Sequence, residues 1–71
     1  MNRILKINGL EREFPEAGWP DSVADLLHQM QIDQATVVAE VDGRIVQRSE
    51  FAQTPLQEGQ SVELIRFVGG G

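Results

Sequence analysis

A chain of 71 residues in which 41% are hydrophobic has room for one domain with one modest core. It contains no cysteine, which excludes a disulfide scaffold, a thiolate metal site and a thiol nucleophile. Its net charge of −5 repels the phosphates of nucleic acids, and no apolar segment approaches the length of a membrane span. We therefore expect a cytoplasmic protein that binds neither nucleic acid nor membrane.

The first segment with a regular pattern is RILKIN, in which Leu5 and Ile7 fall on one face of a strand. The Asn8–Gly9 pair that follows is a strong hairpin signal, because a tight primed turn needs positive φ at both central residues. In the segment LEREF that follows, the apolar residues again recur with the two-residue period of a strand. This opening predicts a β-hairpin.

From Ser22 the apolar period changes to that of a helix, with one stripe made of Val23, Leu26, Leu27 and Met30. Ser22 can cap the start of the helix, and Asp25 three residues later completes a weak form of the capping box. We expect the helix to run from Ser22 or Val23 to Met30 or Gln31.

Two further segments predict a second pair of strands. ATVVAEV is rich in β-branched residues, with Val37, Ala39 and Val41 suited to the inner face and Val38 to the outer face. Asp42–Gly43 is a second hairpin signal and leads into RIVQ.

The remaining chain is a connection followed by a last strand. RSEFAQTPLQEG is expected to be a connection that Phe51 and Leu56 anchor to the core. Alternate residues of SVELIRFV share a face, with Val62 and Leu64 on the inner one and Ile65 and Phe67 on the outer one.

A helix across one face of a small sheet buries both the helical stripe and the alternating strand faces. If the last strand lies parallel beside the first, the most apolar strands occupy the centre of the sheet. The sequence therefore predicts an α+β fold of the β-grasp type. We expect a domain over residues 1–68 and a flexible tail of three glycines over residues 69–71.

No side chain has the sequence context of a catalytic or metal-binding group. His28 lies opposite the apolar stripe, where a surface histidine is expected. The serines lack the context that makes a serine nucleophilic, and the acidic residues are scattered rather than convergent. Trp19 is expected to cover the helix start or the edge of the core, with a contact to a partner as the alternative.

The sequence finishes on FVGGG, and a terminal carboxylate is itself a reactive group. It is inert at neutral pH, but ATP can activate it as an acyl-adenylate that a sulfur or nitrogen nucleophile then attacks. Glycine suits this chemistry because no Cβ crowds the carbonyl and the thin backbone can thread a narrow channel. We therefore expect modification at Gly71, with Gly69 and Gly70 threading the active site of a partner.

Four stretches together resemble one family along the whole chain. INGL in the first hairpin, SVADLL at the helix start, VAEVDGRIVQRSEF in the middle and LQEGQSVELIRFVGGG at the end are similar to the ThiS family, the ubiquitin-like sulfur carriers of thiamine biosynthesis. Gln47 and Gln60 depart from the family's pattern, in which proline and aspartate are common. We expect both positions to be peripheral.

The resemblance implies a carrier and co-substrate rather than an enzyme, with no bound cofactor and no metal. An E1-like adenylyltransferase would use ATP to adenylate Gly71, and sulfur from a cysteine desulfurase system would convert it to a thiocarboxylate. This group would deliver sulfur to thiazole synthase.

Exposed apolar residues on a small acidic domain indicate a docking surface, and we expect one at Val38, Ile65, Phe67 and Val68. The sequence leaves open several alternatives: the small subunit of molybdopterin synthase, a carrier of another sulfur pathway, a ubiquitin-like modifier and a plain interaction domain. It also leaves open the oligomeric state, the identity of the partner enzymes, and whether Gly71 is the native terminus or one exposed by processing.

Overall fold

The computed structural model describes residues 2–67 as a sheet with one main helix across one of its faces. Its regular elements are β1 (Asn2–Ile7), β2 (Leu10–Pro15), α1 (Val23–Gln29), β3 (Val37–Val41), β4 (Arg44–Val46) and β5 (Ser61–Arg66). Short 3₁₀ turns cover Glu16–Gly18, Gln34–Thr36 and Arg48–Gln53. The strands form one sheet in the order β2-β1-β5-β3-β4.

Both predicted hairpins are present, and both depend on a residue pair with positive φ. Asn8 and Gly9 have φ of 52° and 83°, and Asp42 and Gly43 have φ of 50° and 82°. Such primed turns match the right-handed twist of the strands they join, so each pair can register without a bulge. The sequence signal in NG and DG is confirmed at both places.

The two ends of the chain meet at the centre of the sheet. β5 lies parallel to β1, with Ile7 opposite Val62, and antiparallel to β3, with Ala39 opposite Leu64. The parallel pair requires a crossover, and α1 lies within that crossover. The β-grasp prediction is therefore confirmed, including the placement of the last strand beside the first.

The helix start follows the prediction with one correction. Ser22 is the N-cap, and its hydroxyl accepts a hydrogen bond from the backbone N–H of Asp25 at 3.1 Å. In a capping box the Asp25 carboxylate would return to the N–H of Ser22. It instead accepts from the N–H of Asp21 at 3.0 Å, because the short aspartate side chain turns toward the preceding residue.

The helix ends one or two residues earlier than predicted, in a Schellman motif. The N–H of Gln31 donates to the carbonyl of His28 at 3.1 Å, and that of Ile32 donates to Leu27 at 2.9 Å. This pairing requires a left-handed residue after the cap, and Gln31 takes that role with a φ of 59°. Gln31 is therefore part of the cap, and Met30 is the C-cap rather than a helical residue.

The core lies between α1 and the inner face of the sheet. The helical stripe contributes Val23, Leu26 and Leu27, all fully buried, and Met30 is only half-buried at the edge. Burying each of these three aliphatic side chains stabilises the fold by about 1.5–3 kcal/mol. The strands contribute the remaining inner-face residues, Leu5, Ile7, Phe14, Val37, Ala39, Val41, Val62 and Leu64.

The predicted connection before β5 has more order than its sequence suggests. Phe51 and Leu56 are buried, as predicted, but residues 48–53 form 3₁₀ turns that present Phe51 to the core. Gln47 is the N-cap of these turns and acts through its backbone: its carbonyl accepts from the N–H of Glu50 at 2.8 Å, and its N–H donates to Glu50 Oε1 at 3.4 Å. Gln47, one of the two departures from the ThiS pattern, therefore supplies a backbone N–H that proline would lack.

Replacing Gln31 with glycine should stabilise the protein. The left-handed backbone crowds the glutamine Cβ, and a glycine at this position removes that strain at the cost of a more flexible unfolded chain. We expect Gln31→Gly to raise the free energy of unfolding by roughly 0.5–1 kcal/mol in urea denaturation. The matched control is His28→Gly, an exposed residue within α1, which should lower that free energy. A Gln31→Gly protein less stable than the wild type would contradict this account of the cap.

Candidate functional site

β5 is the strand that leads to the glycines, and hydrogen bonds hold it in the sheet up to the last residue the structure describes. Its ladder with β3 continues beyond the strand, because the N–H of Phe67 donates to the carbonyl of Thr36 at 3.1 Å. The sheet therefore fixes the position and direction of the chain at residue 67. Val68 and Gly69–Gly71 lie outside the described residues, so the expectations placed on them remain predictions.

The other edge of β5 is completed by a side chain. β1 ends at Ile7, and the N–H of Asn8 makes the last backbone bond to β5, to the carbonyl of Val62 at 2.9 Å. The Asn8 side chain then continues the pairing, since its Oδ1 accepts from the N–H of Leu64 at 2.7 Å. Asparagine at this position thus forms the turn and also supports the strand that leads to the tail. The turn signal alone could not reveal this second role.

The start of β5 is fixed by the turn between β3 and β4. Asp42 and Ser61 exchange two bonds: the N–H of Asp42 donates to the Ser61 carbonyl at 2.8 Å, and Asp42 Oδ1 accepts from the Ser61 N–H at 2.9 Å. Gln60 adds a bond from its Nε2 to Asp42 Oδ2 at 3.2 Å, and its Oε1 accepts from the N–H of Gln57 at 2.7 Å. Gln60 was expected to be peripheral, but it links the connection to the β3–β4 turn.

An exposed apolar strip lies on the outer face of the sheet, the face turned away from α1. Val38, Ile65 and Phe67 are 37%, 50% and 49% exposed, and Val38 and Ile65 stand directly opposite each other on β3 and β5. Their predicted location on the outer face is confirmed. We call Val38, Ile65 and Phe67 the apolar strip. It ends where the described chain ends, so a protein bound there would lie beside the glycines.

Ile45 on β4 was not among the predicted docking residues, although it is 63% exposed on the same face. It stands opposite Glu40 on β3, one rung farther from the end of β5 than Val38. β4 has only three residues, RIV, so the alternation of polar and apolar residues along it does not show which face of the sheet Ile45 occupies. Its face follows only from the register of the β3–β4 hairpin.

Trp19 occupies the edge of the core, as the first of its two interpretations predicts. Its ring packs edge-to-face against Phe14 at a centroid distance of 5.7 Å, and Nε1 donates to the carbonyl of Leu56 at 3.2 Å. The guanidinium of Arg3 lies 4.1 Å from the ring centroid on the exposed side. These contacts account for the tryptophan structurally. His28 is exposed, as predicted.

The described residues contain no cluster suited to metal binding, since no group of three or more histidine, aspartate or glutamate side chains converges within residues 2–67. In the same range no helix has both the length and the apolar composition needed to cross a bilayer.

Comparison with known proteins agrees with this geometry. The model of the ThiS family matches residues 5–71, which is nearly the whole chain. This chain belongs to the ThiS family. The match includes the central strand β5 and the run of glycines, so it covers most of the fold and the candidate site together.

Two curated proteins illustrate the family relationship. The sulfur carrier protein ThiS of Bacillus subtilis is 25% identical over 68 residues, covering 96% of this chain and all of that protein. A thiazole synthase of Paramagnetospirillum magneticum is 36% identical over 67 residues, covering 94% of this chain. This chain spans only 20% of that thiazole synthase.

Solved structures of the family show the same fold. The crystal structure of the thiamine biosynthesis protein ThiS from Geobacter metallireducens superposes with a TM-score of 0.79, at 33% identity and with both chains fully covered. The solution structure of a thiamine biosynthesis protein from the same organism gives a TM-score of 0.74 at 32% identity, covering all of this chain and 88% of that one.

Removing the Asn8 side chain should loosen β5 selectively. Asn8→Gly keeps the positive φ but removes the acceptor for the Leu64 N–H, so we expect stability to fall by about 0.5–1.5 kcal/mol. Amide hydrogen exchange should show Leu64 losing more protection than Glu63, whose backbone faces β3 instead. Asn8→Asp retains the acceptor and is the matched control. Equal loss of protection at both amides of the Asn8→Gly protein would contradict a local role.

Proposed function

We propose that this protein carries sulfur as a thiocarboxylate on Gly71 and delivers it for thiazole formation. Membership of the ThiS family makes it a sulfur carrier of thiamine biosynthesis, and its named relatives decide for the thiamine branch over the molybdopterin alternative. The position of β5 is the observation that supports a thiocarboxylate on Gly71 and the delivery of its sulfur. This strand is held in the sheet to residue 67 and carries part of an exposed apolar strip, and in the sequence Val68 and the three glycines follow.

The proposed chemistry activates the Gly71 carboxylate and then replaces one of its oxygen atoms with sulfur. The carboxylate attacks the α-phosphorus of ATP, which forms an acyl-adenylate and releases pyrophosphate. The terminal sulfur of a persulfide on a partner then attacks the acyl carbon and displaces AMP, which leaves an acyl disulfide. A thiol reductant breaks the S–S bond of this acyl disulfide, which releases the thiocarboxylate and leaves a disulfide between the reductant and the partner. The enzyme partners supply ATP and sulfur, so the carrier needs no catalytic side chain, bound cofactor or metal of its own.

The length of chain after the sheet limits where these reactions take place. Residues 68–71 can span at most about 14 Å beyond Phe67, because an extended residue contributes about 3.3–3.6 Å. A partner's active site must therefore lie within this distance of the end of β5. A partner so close to the end of β5 can contact the outer face, where Val38, Ile65 and Phe67 are exposed, and we assign docking to this apolar strip.

The proposed partners follow from the chemistry and from one relative. Adenylation requires an E1-like ATP-using enzyme, and the sulfur requires a cysteine desulfurase system. A segment similar to this chain forms a fifth of a thiazole synthase, which supports thiazole synthase as the acceptor. Since these reactions use ATP and cysteine, a cytoplasmic location is part of the proposal.

The direct test is a change of mass at Gly71. Incubated with its activating enzyme, ATP and a sulfur source, the protein should gain the mass of one oxygen replaced by sulfur. Fragmentation should locate this gain at Gly71. An unmodified Gly71 with an activating enzyme that modifies other ThiS proteins would overturn the proposed function.

Two tail variants test the geometry of the modification. Deleting Gly71 leaves a glycine terminus that is one residue short, and misplacing a reacting group by about 1 Å can cost about a hundredfold in rate. Gly70→Val keeps the length but adds a side chain that a narrow channel would exclude. Both proteins should fold and be modified slowly or not at all. Modification of Gly70→Val at the wild-type rate would contradict the channel argument.

A charge in the apolar strip should weaken docking without unfolding the domain. Ile65 is half exposed, so we expect Ile65→Lys to retain the wild-type circular dichroism spectrum while its affinity for the activating enzyme falls about tenfold or more. Leu10→Lys is the matched control, because Leu10 is 75% exposed in register with the buried residue Ile7 and thus on the other face. Equal loss of affinity in both variants would show that the strip is not the docking surface, and unfolding of Ile65→Lys would place Ile65 in the core.

A further inference from the structure

The strands of the sheet separate positive from negative charge. Every glutamate within the strands lies in register with the outer face, together with a single lysine: Glu11, Glu13, Glu40, Glu63 and Lys6. Every arginine within the strands lies in register with the face that α1 covers: Arg3, Arg12, Arg44 and Arg66. Among the strand residues, the outer face is therefore acidic and the arginines lie on the helix side, which also carries acidic residues from outside the strands such as Asp25 in α1.

Two of these glutamates form a pair that does not favour folding. Glu40 on β3 and Glu63 on β5 stand directly opposite each other at the centre of the outer face. Like charges in directly opposed positions of neighbouring strands are destabilising. A central position on two interior strands is therefore occupied by a pair that reduces the stability of the domain.

The glutamate pair borders the apolar strip. On the outer face, the next pair of residues toward the end of β5 is Ile65 on β5 and Val38 on β3, and Phe67 follows after β5. Ile45 stands beside Glu40 on the other side. The outer face thus presents an apolar strip next to the tail and a row of two carboxylates immediately behind it.

We propose that the docking site of the activating enzyme combines an apolar surface that contacts the apolar strip with lysine or arginine side chains that bind Glu40 and Glu63. This inference rests on the proposed function and specifies the chemistry of its partner. The apolar strip supplies contact area, and the two carboxylates fix the orientation in which the sheet binds the activating enzyme. In that orientation the end of β5 points into the active site rather than away from it.

Charge complementarity points to the activating enzyme among the partners. Both of its substrates, ATP and the carboxylate of Gly71, are anions, so the site that receives them must be electropositive. The glutamates of the outer face, which lie behind the apolar strip, are attracted to such an entrance. They therefore favour an approach of the carrier with its outer face toward the enzyme.

The test is the pair of substitutions Glu40→Gln and Glu63→Gln in one chain. These changes remove both charges but keep the size of the side chains. At low ionic strength kcat/KM for ATP-dependent activation should fall about two- to thirtyfold, as expected for the loss of two ion pairs near the protein surface, while kcat stays unchanged. The dependence of kcat/KM on salt should flatten. The same protein should melt at a higher temperature than the wild type, because the repulsion between the two glutamates is removed.

The matched control is Glu11→Gln with Glu13→Gln, which removes the same charge from the same face at the far edge strand. It should lower kcat/KM much less. An equal loss in the control would overturn the inference in favour of a net-charge effect. An unchanged kcat/KM in the Glu40 and Glu63 variant would also overturn it, as would a loss confined to the later delivery of sulfur to thiazole synthase. The proposed function fails separately, through absence of modification at Gly71 in the wild type.

Discussion

The pairing of β5 between β1 and β3 is the interaction on which the rest of the molecule depends. It joins the two ends of the chain, closes the core over Val62 and Leu64, and determines which residues of the last strand face water. Because side chains alternate along a strand, a shift of one residue would bury Ile65 and Phe67 and expose Leu64. The same hydrogen bonds that complete the core therefore also expose Ile65 and Phe67, two residues of the proposed docking surface.

A domain of this size must reach stability without disulfides, and the structure shows how it does so. At three places where the regular backbone hydrogen bonding of a strand or helix ends, polar side chains form hydrogen bonds with backbone N–H groups. Asn8 takes the place of a missing strand, Asp42 joins a turn to the start of β5, and Ser22 caps the helix. Within residues 2–67 no buried side-chain nitrogen or oxygen lacks a hydrogen-bond partner. Local capping thus compensates for a small core.

The sequence could predict those parts of the fold that depend on short-range patterns. The NG and DG turns, the helical stripe from Val23 and the two faces of β5 follow from local residue chemistry and periodicity. The contacts of Asn8 and Gln60 could not be predicted in the same way, because they join positions that are distant along the chain. The face of Ile45 and the opposition of Glu40 and Glu63 depend likewise on strand register. The interpretation of the three glycines rested on backbone chemistry, because the group proposed to react there is the terminal carboxylate.

The bond between Phe67 and Thr36 has a consequence for how the molecule tolerates changes in its length. Residues added to the loop before Ser61 would be absorbed there, because Lys6, Asn8 and Asp42 fix the register of β5 independently. Residues added after Phe67 would lengthen the chain between the sheet and the carboxylate of Gly71, the proposed site of modification. The sheet thus fixes the position of the chain at residue 67. The loop before β5 can vary in length without moving this point, whereas each residue after Phe67 changes how far the carboxylate of Gly71 can reach from the sheet.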